Sequence, residues 1–307
     1  MSGTLPVAFA RGRGGVWCRA MRQRTTRGSL RLLSWLIERR LPKRIAAAQH
    51  TNPLVRTVWR RTSHTLRWRP VPILSGPGRG LRINLHGSAV AFATGTAERP
   101  LQEALRRELA PGMTFFDVGA NVGFVTLIAA SIVGPSGRVV AFEPVPENVA
   151  AIRENLALNA IEWVELHQTA IARSSGSASL IISEVSAFSR LAHISVPSED
   201  RERIEVAVTS IDELLASGSV PKPDVIKIDV EGAELEAIEG MRDTLAELKP
   251  VLLCEVHDCN AAYVELMNGL GYETVNLDED VPVEHGGRNA HTLARPRAGA
   301  GETLQRS

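Results

Sequence analysis

A chain of 307 residues, 44% of them apolar and with a net charge of only +1, has ample material for one large globular domain with an appended segment. Its three cysteines, Cys18, Cys254 and Cys259, show no repeated spacing, which argues against a disulfide framework or a cysteine zinc site and favours a reducing, cytoplasmic setting. No run of about 18 uncharged apolar residues occurs, so a transmembrane segment is not expected.

The balanced charge hides an asymmetry. Residues 1–70 hold 16 Arg or Lys and a single acid, Glu38, so the remainder is strongly acidic. The Arg-rich stretch 1–28 lacks periodicity and reads as disordered, whereas Leu30, Leu33, Ile37 and Leu41, with arginines between them, suggest a short amphipathic helix. Such an arm suits a transit peptide, a membrane-surface contact or a nucleic-acid contact, and charge alone does not choose among them. A plain solvated arm or packing helix is the simpler reading, with membrane or partner contact as the second. Proline and glycine crowd residues 70–80 and mark a boundary, which gives an extension over 1–80, a folded domain over 81–296 and a disordered tail over 297–307.

Inside the domain, Leu81, Ile83 and Leu85 alternate as in a strand, and 100–109 reads as a helix opened by proline. Next come an apolar strand at 114–118, a tight turn, an apolar helix at 124–133, a strand at 138–143, a helix at 147–159 and a strand at 164–167. Short alternating segments at 178–182 and 204–208 suggest an inserted hairpin or extra edge strands. A short helix at 211–216, capped by Ser210 or begun at Asp212, precedes a buried-type strand at 224–229, a helix at 234–248, a strand at 250–256 and a helix at 261–270. The last strands, 272–277 and 290–294, have no room for a crossover helix between them and are expected to be antiparallel. The sum is a doubly wound α/β domain with a mostly parallel sheet covered on both faces and an antiparallel terminal strand.

In such a sheet ligands bind beyond the carboxyl ends of the strands, where the strand order reverses. The first such loop, 117–123, places Asp117, Gly119 and Asn121 together; Gly119 permits close backbone approach, and Gly123 lets the next helix pack near the strand. A dinucleotide fingerprint would want glycines at 119, 121 and 124, but the chain has Gly, Asn and Phe, so the pyrophosphate reading loses its central glycine. Glu143, at the end of the second strand of this unit, can accept both hydroxyls of a ribose; its plain alternative is a solvent-facing strand end. Period two puts Lys227, Asp229 and Glu231 on one side of the chain after 224, and Glu255 and His257 form a second such pair. Ionisable groups massed at strand ends mark either a functional site or a structural ion-pair network.

The segments Phe-Asp-Val-Gly-Ala-Asn-Val-Gly (116–123), Ala-Phe-Glu-Pro-Val-Pro-Glu-Asn (141–148), Lys-Ile-Asp-Val-Glu-Gly-Ala-Glu (227–234) and Glu-Val-His (255–257), in this order and spacing, resemble the FkbM family of methyltransferases over about 81–296. The resemblance implies a class I (Rossmann-like) methyltransferase fold, S-adenosyl-L-methionine as cofactor and O-methylation of a natural product, small molecule or sugar. By position it implies that Asp117, Gly119 and Asn121 line the methionine part, that Ala120 also belongs to the cofactor-binding residues, that Glu143 holds the ribose and that Ala170 sits by the adenine. Residues 95–98 are similar to the family's element ahead of the domain, but Ala97 stands where an aromatic is common. The basic arm lies outside the resemblance.

A hydroxyl must lose its proton as it is methylated, so a general base is expected; Asp229 or His257 is assigned that role, with Lys227 and Glu231 orienting the acceptor. Alternatively Asp229, Glu231, Glu255 and His257 hold a divalent metal, although the reading adopted from the sequence assigns no metal ligand. A nucleic-acid substrate is disfavoured, because the Asp/Asn-Pro-Pro-Tyr turn and interleaved aromatics are missing. A non-catalytic protein recruited by its arm to a membrane or partner is the remaining reading.

Overall fold

The computed structural model describes residues 69–181, 190–191 and 203–297, all within a unit that spans 57–307. The arm up to residue 68, including the helix expected over 30–41, and the tail from 298 lie outside the described residues. Among the described residues no helix is long and apolar enough to cross a membrane.

The core of the fold is a seven-stranded sheet. In chain order its strands are β3 (Thr114–Val118), β4 (Arg138–Phe142), β5 (Val164–His167), β10 (Val225–Ile228), β11 (Val251–His257), β12 (Tyr272–Asn276) and β13 (Asn289–Pro296). They lie in the order β12-β13-β11-β10-β3-β4-β5, with only β13 antiparallel to its neighbours. This is the strand order and orientation of the class I methyltransferase fold. The chain runs outward from β3 to β5 and then returns to β10 on the other side of β3, so the order reverses between β3 and β10 and a crevice opens there.

Alternation along the strands feeds two separate cores. Phe115, Val139, Ala141 and Val225 pack on one face with α2 (Arg99–Glu108), α3 (Phe124–Val133) and α4 (Pro146–Leu158). Phe116, Val118, Val140, Ile226 and Ile228 pack on the other with α5 (Ile211–Ala216), α6 (Glu234–Glu239), α7 (Arg242–Glu247) and α8 (Asn260–Gly269). The segments read as extra edge strands form a sheet of their own, β6-β9-β7-β8, from β6 (Ala170–Ile171), β7 (Gly176–Ile181), β8 (Arg190–Leu191) and β9 (Arg203–Thr209).

Two expectations change. The packed unit starts ahead of Leu81: β1 (Val71–Pro72) pairs antiparallel with β2 (Arg82–Ile83), and Val71 and Ile73 are buried in the first core. The prolines and glycines of 70–80 bend this hairpin back instead of separating it from the domain. The helix expected over 234–248 breaks into α6 and α7 at Gly240. There the backbone of Ala172 passes so close that a Cβ on Gly240 would stand 2.0 Å from its carbonyl oxygen, and the Asp212 N–H occupies the Gly240 carbonyl. Asp212 then starts the second helix from outside, accepting the N–H groups of Asp243 (3.1 Å) and Thr244 (2.8 Å). The short helix α1 (Val90–Thr94) was not foreseen, because five residues carry too little periodicity.

Asn155, fully buried on α4, joins the hairpin to the cofactor-side loop: it accepts from the Asn84 N–H (2.7 Å) and donates to the carbonyls of Asn84 (3.0 Å) and Val122 (2.8 Å). Asn155→Leu orphans three buried backbone groups and is expected to cost about 3 kcal/mol or more, measured by urea unfolding; a loss below about 0.5 kcal/mol contradicts this role.

Candidate functional site

The crevice at the switch point holds a cavity of about 650 Å³, counted to its open mouth, whose walls include Gly119, Asn121, Glu143, Ala170, Asp229 and Glu231. Gly119 makes the close approach possible. Its φ is +80°, and a Cβ there would stand 1.9 Å from the Asp229 carbonyl oxygen, so only glycine lets the loop after β3 lie against the end of β10. Asn121 also takes a left-handed conformation (φ +53°), which asparagine tolerates.

Glu143 closes the other side of the loop. Its carboxylate accepts from the N–H of Asn121 (2.8 Å), the N–H of Val145 (3.0 Å) and the side-chain amide of Asn148 (3.1 Å). Burial nevertheless dominates these hydrogen bonds and raises its pKa to about 7. A pre-oriented carboxylate in a cavity wall suits a ligand that brings hydroxyl donors. The Asn121 side-chain oxygen, buried and without a hydrogen-bond partner among the described residues, is a second group awaiting a donor. Ala170, Ile171 and Leu180 supply an apolar flank. Ribose hydroxyls on Glu143, an amine near Asn121 and a flat adenine beside Ala170 therefore fit S-adenosylmethionine.

Beyond this pocket lies an ionic cluster. Lys227, only 2% exposed on β10, reaches Asp117 at 3.2 Å and Asp229 at 3.7 Å and donates to the Gly119 carbonyl at 2.8 Å. Burial opposes its charge, but Asp117, Asp229 and Glu98 outweigh burial and hold the ammonium above its ordinary range. Asp117 is fully buried on β3 and also accepts the Thr126 hydroxyl at 2.6 Å. The sequence placed Asp117 on the methionine part and Lys227 on the acceptor. Both stand behind the cavity wall and direct their polar atoms at one another, so they position the loop and Asp229.

His257 also differs from expectation. Its Nδ1 is 2.8 Å from the buried Glu234 carboxylate, and Glu231 and Glu255 lie 3.6 Å from its Nε2. Desolvation opposes protonation, yet the hydrogen bond and charge of Glu234 prevail and raise its pKa to about 9. The Glu234 contact favours the protonated, proton-donating ring, which speaks against the role of base assigned to it as an alternative to Asp229. Ala120, expected on the cofactor, is buried with its N–H on the Phe142 carbonyl (3.1 Å).

Three further residues enter the cluster. Glu98, at the start of α2 with φ +45°, has its pKa pushed up to about 7, chiefly by burial and then by the charge of Asp229. Glu234 follows the 227–232 run, and only its fully buried contact with His257 distinguishes it from an ordinary acid at a helix start. His291 lies directly across from Glu255 in the β11–β13 register. That pairing spans 36 positions in the chain, and a pattern read within one strand cannot reveal it.

Residues 117–274, just over half of the chain, match the family model described as the methyltransferase FkbM domain. The hexuronic acid methyltransferase AglP of Haloferax volcanii is 34% identical over 160 residues, covering 52% of this chain and 62% of the relative. The 31-O-demethyl-FK506 methyltransferase FkbM of Streptomyces tacrolimicus is 29% identical over 222 residues, 62% of this chain and 84% of the relative. Less than two thirds of the Haloferax protein's length is thus spanned. A crystal structure of a methyltransferase FkbM from Methylobacillus flagellatus superposes with a TM-score of 0.42 at 18% identity, over 67% of this chain and 52% of that one; the fold assignment rests on the strand order given above.

A ribose held on Glu143 requires the ionised carboxylate, so on that assignment affinity for S-adenosylmethionine is expected to fall as pH drops below about 7, approaching tenfold per unit. Glu143→Ala should weaken binding about 10–100-fold at pH 8 and flatten that dependence. Calorimetric titrations at pH 6 and 8 check both; equal affinities of wild type at the two pH values count against the assignment.

Proposed function

Since the chain belongs to the FkbM family of methyltransferases, which take their methyl group from S-adenosylmethionine, we propose that it methylates a hydroxyl of a sugar, small molecule or natural product. The observation that carries this reading is the position of Asp229. It lines the cavity that fits the cofactor and belongs at the same time to the acid cluster beyond it. The Haloferax and Streptomyces relatives, whose names give a hexuronic acid and an FK506 precursor as acceptors, support a polyhydroxylated substrate here.

S-adenosylmethionine, when bound, supplies a methyl carbon on a sulfonium sulfur that keeps the electron pair of the broken bond, and the acceptor hydroxyl yields its proton to the protein. Alignment of the acceptor oxygen provides much of the rate, and the Lys227–Asp229 pair provides a rigid edge for it. Glu231, also in the cavity wall, serves as a second acceptor for substrate hydroxyls. The proton passes by way of Asp229 to Glu98, whose carboxyl is pushed up to about 7 by burial and then by the charge of Asp229. A carboxylate with affinity near neutrality is well matched to general-base work. His257, its Nδ1 fixed by Glu234, stands between Glu231 and Glu255 and keeps both in place.

The described cysteines, Cys254 and Cys259, are free thiols, which supports a reducing compartment such as the cytoplasm.

The test is methyl transfer from S-adenosylmethionine carrying a carbon-13 methyl group to uronic acids, hexoses and hydroxylated macrocycles, followed by NMR. A new carbon signal at an ether shift is expected, while an amine or thioether shift would replace the reading. Asp229→Asn should lower kcat by about 10²-fold or more and leave cofactor affinity nearly unchanged. At saturating cofactor, kcat should rise with pH through about 7 as Glu98 ionises, and Glu98→Gln should remove that limb.

A further inference from the structure

Asp229, Glu255 and His257 can each bring one ligand atom, an oxygen, an oxygen and a ring nitrogen, within 4.8 Å of the others. Ligands about 2.1 Å from a common ion stand about 3.0 Å apart at right angles and about 4.2 Å apart when opposed, so small side-chain movements bring the three onto one centre.

The imidazoles are oriented as ligands are. Nδ1 of His257 is held by Glu234 at 2.8 Å, which leaves Nε2, in a side chain only 5% exposed, facing Glu255 and Glu231 at 3.6 Å, too far for a hydrogen bond. His291 repeats the arrangement. Its Nδ1 lies 3.0 Å from Asp278, and its Nε2 is buried, has no hydrogen-bond partner among the described residues and stands 3.6 Å from the other oxygen of Glu255. A carboxylate that fixes one ring nitrogen and aims the other is the usual outer layer of a metal site. Two more buried oxygens of this cluster, Asp229 Oδ1 and Glu98 Oε2, also lack hydrogen-bond partners among the described residues. Unsatisfied acceptors beside the cluster of Asp229, Glu255 and His257 call for a cation.

We propose that Asp229, Glu255 and His257 form a binding site for a divalent cation of the manganese or magnesium type, with His291 flanking Glu255. The two carboxylates suit such ions, the imidazole favours manganese over magnesium among them, and the cation takes the place of the His257 Nε2 proton. Three protein ligands leave positions open. An acceptor hydroxyl at one of them is acidified and gives its proton to the neighbouring Glu98 carboxylate. The role in methylation rests on the O-methylation reading above, whereas the existence of the site does not.

The test uses the full chain, stripped with a chelator and titrated with manganese(II) under electron paramagnetic resonance, with S-adenosylmethionine binding measured in parallel. One saturable manganese per chain, competed by magnesium, is expected. Glu255→Gln and the milder His291→Gln should weaken it about tenfold or more, while the exposed Glu279→Gln leaves it unchanged and all three still bind S-adenosylmethionine. Failure of manganese, magnesium and zinc to bind a protein that binds S-adenosylmethionine overturns the site and spares the methyltransferase reading. Metal binding that survives both cluster variants also overturns it.

Discussion

An ammonium group enclosed in a β-sheet governs this site. Lys227 is almost completely removed from water, and a lone charge there would be untenable. It is sustained by Asp117 on β3, by Asp229 just beyond β10 and by the Gly119 carbonyl. Those contacts tie together the two strands that flank the switch point. The loop after β3 and the Asp229 carboxylate in the cavity wall are therefore held by one cation, and removing it would leave Asp117 an uncompensated buried charge, a loss of roughly 3–5 kcal/mol. Gly119 completes the coupling, since its missing Cβ lets the Asp229 carbonyl lie against the loop.

Around this pair the site gathers more acids than its cations balance. Glu143, Glu98 and Glu255 all have raised pKa values, with burial as the largest cause each time. Strain accompanies the charge: Glu98, Asn121 and Glu231 all have φ between +45° and +54°, conformations that cost up to about 1–3 kcal/mol each and tend to persist at functional sites. The fold supports this through apolar layers on both sheet faces, which reach up to the strand ends through Val118, Phe142 and Ile228.

Much of this could be read from the chain. Alternation in 114–118 and 224–229 and the apolar helices between strands gave the layers, and the short 272–294 connection gave the antiparallel end. Gly119, Asn121 and Glu143 were legible because strand ends, glycine and acid in a fixed order point to one crevice. The functions of Lys227 and His257 were less legible. Period two placed each on the correct side, but whether a side chain ends in the cavity or in a carboxylate depends on Asp117 and Glu234, which are distant in sequence. Glu98 and His291 were missed for the same reason: one lies in a loop ahead of the first core strand, and the other depends on a strand register. The break at Gly240 was hidden because only tertiary contact with Ala172 and Asp212 ends the helix there.

The most direct test is a crystal structure of the chain with S-adenosylhomocysteine. The ribose hydroxyls should lie on Glu143 with the thioether sulfur facing Asp229, at the reversal between β3 and β10. Adenosine bound elsewhere, or a ribose that leaves Glu143 unengaged, would contradict the account.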